Sequence, residues 1–253
     1  MNSGGVIMCR LIVILLFLAG LSACGTPSSK PNAQASAKVH TELAGMYYEL
    51  GKHGVALEEL GLALQSDEDY APAYSVRGLV HMALREDREA EEDFQKSLRL
   101  DDTDSDTHNN FGWFLCQHDR IKEAIPHFMA ALKNPLYRTP ERAYLNAGVC
   151  SMKEGATKNA GEFLQNALQL QPDLAQAWLS LAELNFEMGN YNSAKRYFLG
   201  FAERSQGMSA EQLWLGVRIS RKTRDRNAES SYGLQLRKLY PGARETQMLL
   251  RGE

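Results

Sequence analysis

The stretch Gly78-Leu79-Val80-His81-Met82-Ala83-Leu84-Arg85-Glu86-Asp87-Arg88-Glu89-Ala90-Glu91-Glu92-Asp93-Phe94 decides the architecture. A small residue, Gly78, lies ahead of the polar turn Arg85-Glu86-Asp87-Arg88, and Ala90 and Phe94 lie beyond it. Small residues let two helix axes approach closely, and an aromatic side chain one turn further fills the next gap. The stretch therefore predicts a hairpin of two antiparallel helices. No stretch of useful length alternates at period two, so strands are not expected.

Working outward, the same pattern returns along the chain. Alanine stands at Ala56, Ala90, Ala124, Ala160, Ala194 and Ala228, at intervals of 34, 34, 36, 34 and 34 residues. Twelve residues before each lies Ala44, Gly78, Gly112, Gly148, Ala182 or Gly216, and four after each lies Leu60, Phe94, Phe128, Leu164, Phe198 or Tyr232. A small–small–aromatic signature at this spacing resembles the tetratricopeptide repeat. The resemblance implies an all-α, right-handed α-solenoid of six helix-turn-helix units starting near residues 37, 71, 105, 141, 175 and 209. The composition of the first unit agrees. Leu43, Ala44 and Tyr47 share one helical stripe, and Ala56, Leu57, Leu60 and Leu64 share the next. Gly51-Lys52-His53-Gly54 supplies the turn, glycine tolerating the left-handed conformation at a helix end.

Three departures from the period carry information. The 36-residue interval places two extra residues near Asn134-Pro135-Leu136-Tyr137-Arg138-Thr139-Pro140, predicting a longer loop between units three and four. Pro126 falls in the second helix of unit three, where it kinks the helix unless it lies in the opening turn. After Tyr240-Pro241-Gly242, a tail to residue 253 carries Met248, Leu249 and Leu250, expected to cap the open end of the stack.

Ahead of the repeats, Arg10 is followed by ten apolar or small residues, 11–20. A helix of ten residues rises about 15 Å, half the hydrocarbon thickness of a bilayer, so the segment suits a signal peptide better than a membrane span. It ends in Leu21-Ser22-Ala23-Cys24, which resembles the lipobox of bacterial lipoproteins. The resemblance implies removal of residues 1–23, lipidation of Cys24 and, with Gly25 next rather than Asp, transport to the outer membrane. An ordinary cleavage site that happens to precede a cysteine is the competing reading. Several acyl chains on one residue suffice for stable anchoring, so the membrane would be met through the lipid alone. Residues 24–36 contain no large apolar side chain and are expected to form an extended tether, leaving residues 37–253 as the solenoid with its cap.

Charge is nearly balanced, 28 Lys and Arg against 31 Asp and Glu, which speaks against a nucleic-acid binder that relies on bulk positive charge. Removing residues 1–23 deletes only Arg10 and leaves a net charge of −4, from 27 basic and 31 acidic side chains. The six histidines form no H-E-x-x-H pair, and no nucleophile elbow, Walker loop or dinucleotide fingerprint is present. His108, Cys116 and His118 are close in sequence but poorly placed for one metal. Asp101-Asp102-Thr103-Asp104-Ser105-Asp106 lacks the glycine and distal glutamate of a calcium loop, and helix capping at Asp104 or Ser105 accounts for it. No enzyme, cofactor or metal is expected.

Two cysteines remain, Cys116 and Cys150, in the first helices of adjacent units. In the oxidising periplasm a disulfide between them is permitted and would staple units three and four across the insertion; two buried apolar cysteines are the alternative. First helices line the concave face of such a stack. There the middle units present Leu79, Met82, Asn109, Trp113, Leu145, Val149 and Met152, apolar with one amide. With no Lys or Arg at the neighbouring groove offsets, a clamp for charged C-termini is disfavoured, and an amphipathic helix or extended apolar segment is the expected partner.

Asn109-Asn110-Phe111-Gly112-Trp113-Phe114-Leu115-Cys116 and Tyr232-Gly233-Leu234-Gln235-Leu236-Arg237-Lys238-Leu239-Tyr240-Pro241 go beyond what a generic repeat requires. Together with the lipobox, tether and six repeats, they resemble the type IV pilus biogenesis lipoproteins of the PilF/PilW type. That resemblance implies a non-enzymatic scaffold at the periplasmic face of the outer membrane, with a secretin or other pilus-assembly protein as partner. A general periplasmic repeat lipoprotein of outer-membrane protein assembly or cell-wall synthesis is the alternative.

Overall fold

Thirteen helices and no strand occur among residues 30–252, the part of the chain that the computed structural model describes. They pair as α1 (Lys30–Glu49) with α2 (His53–Ser66), α3 (Ala71–Leu84) with α4 (Asp87–Leu100), and α5 (Ser105–Gln117) with α6 (Ile121–Ala131). The series continues with α7 (Pro140–Lys153) and α8 (Thr157–Leu170), α9 (Ala175–Glu187) and α10 (Tyr191–Arg204), then α11 (Ala210–Lys222) and α12 (Arg226–Leu239). A short α13 (Arg244–Arg251) closes the stack. Each hairpin packs on itself, and each second helix meets the first helix of the next unit, so the six-unit solenoid is observed.

The signature residues do what their sizes require. A Cβ added at Gly78 would lie 2.8 Å from the Phe94 ring, at Gly112 2.8 Å from Phe128, and at Gly148 2.6 Å from Leu164 Cγ. The period alanines 56, 90, 124, 160 and 194 are fully buried, as are Leu60, Phe94, Phe128 and Leu164. Only the sixth unit relaxes: Ala228 and Tyr232 are half-buried, because the short helix α13 covers this hairpin less fully than a whole unit would.

Every hairpin turn contains one residue in the left-handed region. Glycine fills it in three units (Gly51, Gly155, Gly189), whereas Arg85, Asp119 and Arg224 fill it in the others with φ of 61°, 57° and 57°. The polar turns of units two, three and six thus reach the same backbone path at a cost that glycine avoids.

The tether expectation needs correcting at its C-terminal end. Residues 30–36 already form the start of α1: Pro31 falls in its first turn, where no backbone N–H is needed, and the Ser36 hydroxyl reaches that of Ser66 at 3.0 Å. The signal segment 1–23, Cys24 and the rest of the tether lie outside the described residues. Pro126 sits mid-helix in α6, which has 11 residues against 14 in the other second helices. At the far end, Met248 and Leu249 pack on Leu213, Trp214, Val217 and Leu236, as expected of a cap. Leu250, expected to join them, is 62% exposed instead, since an eight-residue helix can turn only one stripe inward.

Candidate functional site

Along the concave face, α1, α3, α5 and α7 together enclose an open cavity of about 760 Å³. Leu79 and Met82 of α3, Asn109 and Trp113 of α5, and Leu145 of α7 all line it. Leu79 and Trp113 hold the same register one period apart, which brings them side by side. Their inner edges pack on the cluster around Phe94, Phe111 and Phe114, so each of these apolar side chains is half-buried and offers one face to the cavity.

Asn109 is 93% buried and held from two sides. Its Oδ1 accepts from Asn146 Nδ2 at 3.0 Å, and its Nδ2 donates to Asn110 Oδ1 at 3.5 Å. Three carboxamides from α5 and α7 thus form the polar part of an otherwise apolar floor.

The two-residue insertion has a role that its sequence did not disclose. The loop between α6 and α7 turns inward, and Tyr137 and Thr139 line the cavity. The Tyr137 hydroxyl is buried beside Asp106 and Thr139, and burial pushes its pKa up to about 12. Glu49, Asp104, Asp106 and Arg142 are the charged groups of the lining. Asp104 caps α5, its carboxylate accepting from Thr107 N at 2.8 Å. Asp106 and Glu49 form no salt bridge among the described residues. Burial and then the Asp104 charge raise the pKa of Asp106, a shift that Arg142, a hydrogen bond with the Tyr137 hydroxyl and Arg138 oppose.

Val149 and Met152, expected in the same groove, open instead into a neighbouring depression of about 280 Å³ with Lys153, Ser180, Glu183 and Glu187. Val149 and Met152 lie one and two turns beyond Leu145 on α7, where the facing side chains come from α9. Sequence reasoning also missed Tyr137, Arg142 and Asn146; the proline-bounded insertion was the one signal pointing to the first of them.

Cys116 and Cys150 face each other across α5 and α7 with Cα atoms 5.8 Å apart, and the structure joins them as a disulfide. Lys153 Nζ donates to the Cys116 carbonyl at 3.1 Å at the same junction. The three groups weighed as a metal set do not converge. His108 instead pairs with His127, Nδ1 to Nδ1 at 2.9 Å, and His118 lies against Phe114.

Among the described residues, no helix is long and apolar enough to cross a membrane. Tetratricopeptide-repeat models match residues 71–104 and 151–203. The chain is 30% identical over 245 residues to the type IV pilus assembly protein PilF of Pseudomonas aeruginosa, covering 94% of this chain and 96% of that protein. A solved structure of Pseudomonas aeruginosa pilF superposes with a TM-score of 0.81 at 29% identity, over 88% of this chain and 100% of that one. The crystal structure of PilW, a widely conserved type IV pilus biogenesis factor, gives a TM-score of 0.80 at 31% identity, over 85% and 98% of the two chains.

Proposed function

Because the chain belongs to the PilF-like family of tetratricopeptide-repeat proteins of type IV pilus biogenesis, we propose that it is a lipid-anchored, non-enzymatic scaffold of pilus assembly. In this reading Cys24 carries the lipid, the protein sits on the periplasmic face of the outer membrane, and the concave groove captures a segment of a secretin subunit. The observation that carries the binding role is the convergence of Leu79, Met82, Asn109, Trp113 and Leu145 on one open cavity.

The physical logic is one of recognition. Half-buried apolar side chains exposed on a rigid concave surface gain free energy when a partner's apolar residues cover them. The amides of Asn109, Asn110 and Asn146 add direction, since their donors and acceptors reward only a segment in the right register. A short link to the membrane holds the solenoid near membrane-bound partners and raises their effective concentration.

The test is co-purification from envelope extracts with piliation as the second readout. The anchored wild-type protein should bring down the secretin, and Trp113→Ala and Asn109→Ala should weaken both capture and piliation while helicity stays intact. Full secretin capture and full piliation by both variants would assign binding to another surface. Cys24→Ser should release the protein from membranes; retention there would end the anchor reading.

A further inference from the structure

We infer that the outer face of α1 rests on the lipid surface, with Val39, Met46 and Leu50 dipping into the boundary between headgroups and acyl chains. This inference rests on the anchor reading of Cys24 and adds how the anchored solenoid sits on its membrane.

The repeat itself shows that this face lacks a cover. In units two to five, the register of Met46 is held by Val80, Phe114, Cys150 and Leu184, none more than 2% exposed. These side chains face the preceding hairpin: Phe114 meets the Phe94 ring, and Cys150 is bonded to Cys116. The register of Val39 is held in the same units by three alanines and Thr107, all fully buried, and Thr107 reaches Ser97 of the hairpin before it. In unit one no hairpin precedes α1 among the described residues. Val39 is 54% and Met46 56% exposed there. Leu50 continues the line, since positions 39, 46 and 50 fall on one stripe of a helix, and it is exposed as well.

The two ends of the stack are thus treated differently. Solenoid ends need a cover or a polar outer face to stay soluble. The far end has its cover in α13, whose Met248 and Leu249 pack on unit six. The near end keeps an apolar stripe, edged by Lys38 and Glu42, which lie 3.8 Å apart at its side.

The sequence ahead of α1 selects the occupant. Five residues separate Cys24 from Lys30, where α1 begins, and they reach about 20 Å at full extension. A lipid on Cys24 therefore holds the start of α1 at the bilayer, and a 20-residue helix laid along the surface brings the whole stripe to it. Three large side chains cover far less than the roughly 800 Å² that each partner buries in a stable protein interface, so a second copy is a poor cover. A lipid surface needs no such area. The anchor already supplies the attachment, and each apolar side chain that leaves water adds to it. Charged Lys38 and Glu42 stay at headgroup level. With α1 on the membrane, the later units are carried away from it and the groove is presented at a fixed height.

Fluorescence quenching on the lipidated full-length protein decides the matter. Val39→Cys, Met46→Cys and, at the far end, Leu234→Cys each receive a bimane label, the native pair Cys116–Cys150 being buried and bonded. The proteins are reconstituted in phosphatidylethanolamine–phosphatidylglycerol vesicles with and without nitroxides on the acyl chains. Labels at 39 and 46 should be quenched severalfold more than the label at 234. The label at 46 should lose most of that quenching when Val39→Asp and Leu50→Asp are added, with circular dichroism unchanged. Equal quenching at 39, 46 and 234 in protein that floats with the vesicles would overturn the inference and leave the anchor standing. So would disulfide-linked dimers formed through unlabelled Met46→Cys, which would give the stripe to a second copy. Protein that neither carries a lipid by mass spectrometry nor floats with the vesicles would end the anchor reading and this inference with it.

Discussion

Asn146 Nδ2 donates to Asn109 Oδ1 at 3.0 Å, joining the first helices of units three and four at the floor of the groove. The bond does two jobs at once: it satisfies a buried amide, and it fixes the spacing of the helices that carry Trp113 and Leu145.

Removing the donor should therefore cost stability as well as binding. Asn146→Ala strands a buried carbonyl oxygen, a loss of about 1–3 kcal/mol. Chemical denaturation of the variant should show a lower midpoint at an unchanged slope. A midpoint equal to that of wild type would mean that water replaces Asn146 without loss.

The disulfide acts at the same junction. Cys116 and Cys150 are 34 residues apart, and closing a loop of that length removes unfolded-state entropy worth about 3–4 kcal/mol on the chain-entropy account. Reduction, or Cys116→Ala/Cys150→Ala, should lower the thermal midpoint by several degrees. Thiol titration of the denatured protein checks the premise: two free thiols in material isolated without reductant would show that the pair is not oxidised in the cell.

Close approach of helices should make small-to-large changes costly. In Gly148→Ala the new methyl would sit 2.6 Å from Leu164 Cγ and 3.3 Å from the Leu164 backbone N, so the side chain cannot simply swing away. A destabilisation of about 1–3 kcal/mol is expected. Adding Leu164→Ala should recover part of the penalty in a double-mutant cycle; strict additivity would show that the contact is not the cause.

Acid should weaken unit three through His127. Burial, and then the neighbouring His108, hold its pKa down at about 4 against an ordinary 6.5. Between these values the unfolded chain binds a proton that the native state refuses, so stability declines as pH falls from about 6.5 to 4 and is level below. Allowing for partial exposure, the contribution is about 1–2 kcal/mol. Comparing urea midpoints at neutral and mildly acidic pH, His127→Gln should show a smaller acid loss than wild type. Equal losses would place the acid sensitivity elsewhere.

Much of the fold was legible because the repeat is local. A small residue, a turn and an aromatic residue at set offsets report contacts within one hairpin and to the next, and Gly78 against Phe94 repeats as Gly112 against Phe128. The capping role of Asp104 and the adjacency of Cys116 and Cys150 follow from the same short-range geometry. Sequence position alone thus determined the helices, their pairing, the six-unit stack and most of the groove floor.

Only the tertiary structure decided what the irregular places do. The inserted loop turns Tyr137 into the main cavity, whereas Val149 and Met152, further along α7, face a depression shared with α9. The same structure brings together Glu49, Asp106 and Arg142, residues from helices one, five and seven that share no sequence pattern. It also paired His108 with His127 and left Leu250 outside the cap. Periodicity encodes the contacts that every unit repeats. The path of a unique loop, and the charges that several units turn toward one cavity, depend on how the whole stack curves.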